Sequence, residues 1–390
     1  MTPGARVQAA IEVLDRVLGS EASAERELLA WARGSRFAGS KDRAAVRDHV
    51  FDALRRLRSS AWVAGQGDVA PEAMAAPGVM AGLLAGRGLD PATLFTGEGY
   101  APEPITLPKV AEPPRAVALD VPDWLLPRFS ASLGDRTEAV LDAMRDRAPI
   151  NLRVNLARAD RYVVQAALAE AGVTAEEIPD FPTALRVAGA PRGLSRLAVF
   201  EDGICELQDA GAQGLVDRLP LLPGERVLDL CAGGGGKTLA MAGRGAGPLF
   251  VHDAAPERMR DLPVRAERAG VVVTPVEDPE AEAPFDGVVV DVPCSGSGSW
   301  RRTPEAKWRL TPERLSELIA TQDAILARAA RLVCPGGWIG YMTCSVLDEE
   351  NGDLVEAACA AIGGLAVETT WSTAPDKGTD GFYLSVLRRG

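Results

Sequence analysis

The chain has 390 residues, 47% hydrophobic and 25% charged, a composition that can bury a core and excludes disorder over most of its length. Its 42 Lys and Arg against 54 Asp and Glu leave a formal net charge of −12, which argues against an indiscriminate polyanion binder and restricts any nucleic-acid contact to a local basic face. Six cysteines without a C-x-x-C pair and only two histidines exclude a disulfide scaffold and offer no metal-ligand pattern, so no metal site is expected.

The N-terminal MTPGARVQAA lacks a charged-then-apolar leader pattern, and no run of 18 apolar residues occurs; the expectation is a cytoplasmic protein without a membrane span. Residues 5–60 carry apolar positions at helical spacing (Val7, Ile11, Leu14, Leu18, then Val46, Val50, Leu54, Leu57), which predicts a helical bundle. Within it Arg33, Arg36, Lys41, Arg43, Arg47, Arg55, Arg56 and Arg58 face only Asp42, Asp48 and Asp52. That excess fits either a solvated, salt-bridged helix face or a phosphate-contacting surface. Residues 60–147 are rich in Ala, Gly and Pro, with a proline-rich extended connector near 100–115. The helical domain is thus assigned to 1–147.

From Pro149 the texture changes: NLRVNLA and TALRVAG read as strands flanking the helix ADRYVVQAALAEAG, a small α/β subdomain over 148–205. Between 206 and 390, apolar strands at 226–230, 249–253, 271–276, 287–291 and 338–343 alternate with helical patterns such as 256–269 and 312–333. This predicts a mostly parallel sheet covered on both faces. The last segment, 381–389, reads as an antiparallel strand at or near the sheet edge.

The first of these strands runs into CAGGGGKT, 231–238. A Walker A loop would need glycine where Cys231 stands, and a G-x-G-x-x-G reading fails at Thr238 and Leu239. What remains is a nucleoside-carrying ligand without a pyrophosphate, cradled by Cys231, Ala232, Gly233, Gly234, Gly235, Gly236 and Lys237. Asp253 ends the next strand, where an acid reaches a ribose diol or simply caps a helix. Asp278 could meet an adenine amino group or sit in a solvated acidic loop.

The next two predicted strands end in DVPCSGSGSWRRTPEAKW (291–308) and MTCS (342–345). Each delivers a cysteine to the carboxyl edge of the sheet, where open α/β folds bind ligands, so Cys294 and Cys344 could face one reaction centre. Cys205, Cys334 and Cys359 read as buried hydrophobes.

The strings LDLCAGGGGKT, VVVDVPCSGSGSWRRTPEAKW and GYMTCSVLDEENGD resemble motifs of the Sun-type RNA (cytosine-5)-methyltransferases, within them the ribosomal RNA small-subunit methyltransferase B-like group. QDAGAQ (208–213) extends the resemblance, and GSRFAGSKDRAAVRDHVFDALR is similar to a NusB-like helical RNA-binding domain. The resemblance implies a Rossmann-like class I methyltransferase sheet at 206–390, preceded by the small α+β subdomain and an all-α NusB-like domain. It further implies a monomer that transfers a methyl group from S-adenosylmethionine to carbon 5 of a cytosine in RNA, with small-subunit ribosomal RNA the expected partner.

In that family Cys344 would be the nucleophile and Cys294 would assist proton removal or product release. Asp291 would hold the pyrimidine edge and also border the cofactor. Arg33, Arg36, Lys41, Arg43, Arg301, Arg302 and Lys307 are the expected RNA contacts, and Lys237, Lys307, Arg301 and Arg302 the cations expected to favour the thiolate. The sequence departs from the family in Gly233-Gly234, where Ala-Pro is usual, and in the less distinct acidic pair Glu277/Asp278. Two other readings compete: a DNA cytosine methyltransferase with Cys294 as nucleophile, and a non-catalytic RNA-binding or ribosome-assembly factor.

Overall fold

Helical periodicity organises the first ninety residues of the computed structural model, which describes residues 1–390 apart from 68, 190, 192 and 377. Five helices, α1 (Pro3–Leu18), α2 (Ala24–Gly34), α3 (Ser40–Arg55), α4 (Leu57–Val63) and α5 (Ala76–Gly86), enclose a core that includes Val7, Leu14, Val46, Val50, Leu54, Leu57, Val79 and Met80. Thr2 and Ser23 start the first two by accepting from the backbone N–H groups of Ala5 and Arg26, which satisfies donors a helix otherwise leaves orphaned. α4 and α5 approach so closely that a Cβ on Gly82 would stand 1.9 Å from the Ser60 carbonyl oxygen, so glycine is required there.

The chain divides into two compact units, and the division departs from the expected one. Met1–Arg147 is joined by Trp300–Thr311, a segment the sequence reading assigned to the methyltransferase domain. Trp300 is buried against Phe129 at 5.8 Å between ring centroids, and Trp308 donates its indole N–H to the Leu54 carbonyl at 2.7 Å. Arg309 donates to the carbonyls of Val17, Ser20 and Ala22, satisfying acceptors at and just beyond the end of α1. Motif strings mark chemistry along a sequence; they carry no signal for which core a tryptophan joins.

The second unit comprises Ala148–Ser299 and Pro312–Gly390, so the 148–205 region shares it with the larger sheet. Strands β1 (Ile150–Val154), β2 (Ala175–Glu177), β3 (Ala184–Val187) and β4 (Cys205–Leu207) form an antiparallel sheet in the order β2-β3-β1-β4. Strands β5 (Pro223–Asp229), β6 (Gly247–Val251), β7 (Thr274–Pro275), β8 (Phe285–Asp291), β9 (Val333–Thr343), β10 (Leu365–Thr373) and β11 (Phe382–Arg389) form a second sheet, β10-β11-β9-β8-β5-β6-β7. β9 through β7 run parallel, and strand order reverses at β5. The carboxyl ends of β5 and β8 therefore border the crevice in which such sheets bind ligands.

The C-terminal strand is antiparallel and near the edge as expected: β11 lies between β9 and β10, and β10 forms the border. β10 was not foreseen because Ala366 through Thr370 are exposed, so one-sided burial left no apolar pattern. The expected helix over 256–269 is a 3-10 turn, Pro256–Met259, followed by an α-helix, Leu262–Ala269, with Pro263 in its first turn.

QDAGAQ joins the two sheets of this unit. Gln213 is buried, accepts from Thr183 Oγ1 at 2.7 Å and donates to the carbonyls of Leu152 and Gln208. Gln208 accepts from Arg153 Nε at 2.6 Å and donates to the Gly236 carbonyl in the glycine turn. The string that extends the resemblance thus ties the small sheet to the glycine turn.

Candidate active site

The glycine turn leaves β5 and enters the helix Gly236–Gly243. Gly233 and Gly235 have φ of +49° and +77°, and a Cβ on Gly235 would lie 2.1 Å from Leu262 Cδ1. Both positions favour glycine for steric reasons. Asp253 is buried just past β6 and splits its carboxylate: Oδ2 accepts from Gly233 N and Oδ1 from Ala255 N, each at 2.9 Å. It thereby braces the glycine turn and fixes the entry to the Pro256–Met259 turn, while Arg258 pairs with Oδ2 at 3.3 Å. Asp278 is exposed and caps the short helix Pro279–Glu282 through Glu280 N.

Asp229 ends β5 beneath the turn. Its Oδ2 accepts from Thr238 Oγ1 at 2.7 Å, whereas the buried Oδ1 has no hydrogen-bond partner of good geometry among the described residues. Burial pushes its carboxyl up to about 6. An orphaned buried oxygen next to glycines that open a path to the backbone fits a ligand bearing N–H donors. The Cys231 thiol is pushed up to about 12, first by burial and then by Asp229 and other acids, so it lines the turn as an unreactive thiol.

The ends of β8 and β9 run parallel with Asp291 opposite Met342, which brings the two expected cysteines together: Cys294 Sγ and Cys344 Sγ are 3.4 Å apart. Asp291 accepts from Lys237 Nζ at 2.6 Å. Burial pulls the Lys237 ammonium down, but the Asp291 carboxylate outweighs it and the net shift is upward. Cys344 is held below the usual thiol range, chiefly by a hydrogen bond from Cys294; burial and Asp291 oppose this, and Lys237 and Ser299 reinforce it. Cys294 is driven well above that range, first by the same hydrogen bond, then by burial. Of the two thiols, Cys344 is thus the one that ionises first, with Cys294 as its hydrogen-bond donor.

Of the four cations expected to tune the thiol, Lys237 acts on Cys344 among the described residues. Arg301 and Lys307 belong to the other unit and are buried, at 2% and 3% exposure, which corrects their assignment as RNA-facing cations; Arg302 is exposed. The N-terminal basic cluster also divides. Arg55 and Arg58 are buried and donate to the Arg301 and Val121 carbonyls, and Arg56 pairs with Asp146. Arg33, Arg36, Lys41 and Arg43 are exposed around the α2–α3 turn. Asp42 is turned inward onto Arg6 and the N-terminal amine, so it does not neutralise that turn.

Phe37, 76% exposed at the same turn, was missed, as was Glu350, buried behind the cysteines. A lone aromatic within a basic stretch was the available signal for the first. For Glu350 there was none, since DEEN reads as a solvated acidic run. The described residues contain no metal-binding group of His, Cys, Asp and Glu, and no helix long and apolar enough to cross a membrane.

A parallel-rich sheet reversing at β5, a glycine turn at that reversal and an acid closing β6 define a Rossmann-like methyltransferase fold. Residues 217–388 match the family described as 16S rRNA methyltransferase RsmB/F, and residues 121–192 match the RsmF/B-like ferredoxin-like domain. The chain belongs to this RsmB/F methyltransferase family.

It is 32% identical over 288 residues to ribosomal RNA small subunit methyltransferase B of Klebsiella pneumoniae, covering 69% of this chain and 66% of that protein. It is 36% identical over 263 residues to the Cronobacter sakazakii protein of the same name, covering 65% and 60%. The chain thus spans less than two thirds of the length of these relatives. In fold it is similar to the crystal structure of PH0851 (TM-score 0.80, 24% identity, covering 100% of this chain and 99% of that one). It is also similar to NSun6 from Pyrococcus horikoshii with SFG (TM-score 0.63, 17% identity, 69% and 98%).

Proposed function

We propose that this protein methylates carbon 5 of a cytosine in RNA, with ribosomal RNA of the small subunit as the substrate class, through a covalent adduct on Cys344. The observation that carries the reading is the 3.4 Å separation of two thiols with opposite shifts at the carboxyl ends of β8 and β9. Carbon 5 of cytosine is too weak a nucleophile to attack a methyl donor unaided. Attack of the Cys344 thiolate on carbon 6 forms an S–C bond and moves the ring π electrons toward carbon 5 and N3. Asp291 is the group to hydrogen-bond the pyrimidine edge, with Lys237 fixing its carboxylate. After transfer, the proton on carbon 5 must leave and the S–C bond must break; Cys294 is the adjacent acid–base group for this elimination.

S-adenosylmethionine would supply the methyl group, held by Cys231 through Lys237, Asp229 and Asp253. The orphaned Asp229 Oδ1 and the glycine cradle support that assignment. Arg33, Arg36, Lys41 and Arg43 would contact phosphates and Phe37 would offer a stacking face, because carbon 6 is reachable only in an unpaired or turned-out base.

The test is transfer from labelled S-adenosylmethionine to ribosomal RNA by wild type, Cys344→Ala and Cys294→Ala. Cys344→Ala should give neither product nor adduct, and Cys294→Ala should accumulate a protein–RNA adduct that resists denaturation. The reverse pattern would make Cys294 the nucleophile, and full activity in both variants would overturn the covalent mechanism.

A further inference from the structure

The two cysteine loops are fastened together by a carboxylate that belongs to neither. Glu350, in the 3-10 turn Asp348–Glu350, is 0% exposed. Its Oε1 accepts from Ser295 N at 2.7 Å and from Gln322 Nε2 at 3.0 Å; its Oε2 accepts from the hydroxyls of both Ser295 and Ser345. No Lys or Arg pairs with it among the described residues. A buried carboxylate without a cation is costly, and here four directed donors offset the loss of water.

The donors are placed tellingly. Ser295 follows Cys294 and Ser345 follows Cys344. Gln322 also donates to the Pro293 carbonyl at 2.9 Å, and Tyr341 donates its hydroxyl to the Glu350 carbonyl at 2.6 Å. The loops touch again where Ser297 Oγ meets Ser345 Oγ at 2.8 Å and Gly298 N donates to the Cys344 carbonyl at 2.9 Å.

We propose that Glu350 is a positioning residue whose carboxylate ties Ser295 to Ser345 and thereby holds the Cys294 thiol against the Cys344 sulfur. Its part in catalysis rests on the methyl-transfer reading above; the clamp itself does not. Glu350 also differentiates the thiols. After the Cys344 bond and burial, the charges of Cys344 and Glu350 raise Cys294, whereas Asp291 and Lys237 act on Cys344. Tyr341, the other titratable group packed here, is itself raised by burial and stays neutral.

The experiment reads thiol geometry without RNA. Diamide oxidation of the full chain should cross-link Cys294 to Cys344, with peptide mapping as the readout. E350A should slow the cross-link at least about tenfold, whereas E350Q, whose amide can be met by rotation of the two serine hydroxyls, should stay near the wild-type rate. Wild-type cross-linking in E350A would overturn the clamp.

Should E350A fail to fold, E350Q decides through charge. In a Cys344→Ser background, removing the buried charge should lower the pH midpoint of Cys294 alkylation by about one unit, about tenfold in rate near neutrality. An unchanged midpoint would overturn the proposal. Normal cross-linking in a wild-type enzyme that transfers no methyl group would instead refute the methyl-transfer reading and leave the clamp standing.

Discussion

Lys237 and Lys307 each stand in a string shared with the resembled family, each is withdrawn from solvent, and they shift in opposite directions. Lys237, beside the glycine turn, sits 2.6 Å from the Asp291 carboxylate, and its ammonium is stabilised despite burial. Lys307, in the helical unit, is lowered to about 8, first by burial; the attraction of Asp120 falls short of compensating, and Arg145 and Arg55 add repulsion. Asp120 is itself raised by burial and already pairs with Arg145 at 2.9 Å. Burial of a lysine therefore says nothing about its charge until its carboxylate is known to be committed or free.

The largest expected effect sharpens the first half of that contrast. Lys237→Met removes the cation that holds Asp291 and favours the Cys344 thiolate, leaving a carboxylate whose charge opposes the thiolate. Methyl transfer should fall by about a hundredfold or more, and alkylation of Cys344 at neutral pH should slow in parallel. Unaltered alkylation together with unaltered transfer would mean that the Cys294 hydrogen bond alone sets the state of Cys344.

Lys307 gives the smaller, opposite signature. Its folded value of about 8 lies below the ordinary 10.5, so between these values the unfolded chain binds more protons and stability rises with pH. The stability is missing below pH 8 and regained by 10.5, up to about 3 kcal/mol for a shift of this size. Urea unfolding of wild type and Lys307→Met across that window should show a rise in the first and a flatter profile in the second. Parallel profiles would show that Lys307 titrates normally and that water reaches it.

These lysines also show what a sequence can disclose. Strand-by-strand alternation placed β5, β6, β8 and β9 because they are buried on both faces and read as unbroken apolar runs, and the ends of β8 and β9 then brought Cys294 and Cys344 together. β10 escaped because its middle is exposed, and 271–276 was overread because only Thr274–Pro275 pair with β6. Charge was harder to read: one stretch holds both the buried Arg55 and Arg58 and the exposed Arg33, Arg36, Lys41 and Arg43. Glu350 was illegible, since two of the residues that meet its carboxylate lie 28 and 55 positions away along the chain.

The exposed half of that basic stretch yields the smallest effect and a way to separate charge from stacking. Replacing Arg33, Arg36 and Arg43 with alanine should weaken RNA binding and make log K against log salt shallower by about 2, since each phosphate contact on a single strand contributes about 0.7. Phe37→Ala should cost about 1–3 kcal/mol, as lost base–aromatic stacking does, yet leave the salt slope unchanged because no counterion is released by a ring. A Phe37→Ala variant that binds RNA as wild type does would reduce the α2–α3 turn to an electrostatic contact. An unchanged slope in the triple variant would place the phosphate contacts elsewhere and leave these arginines as solvated surface charge.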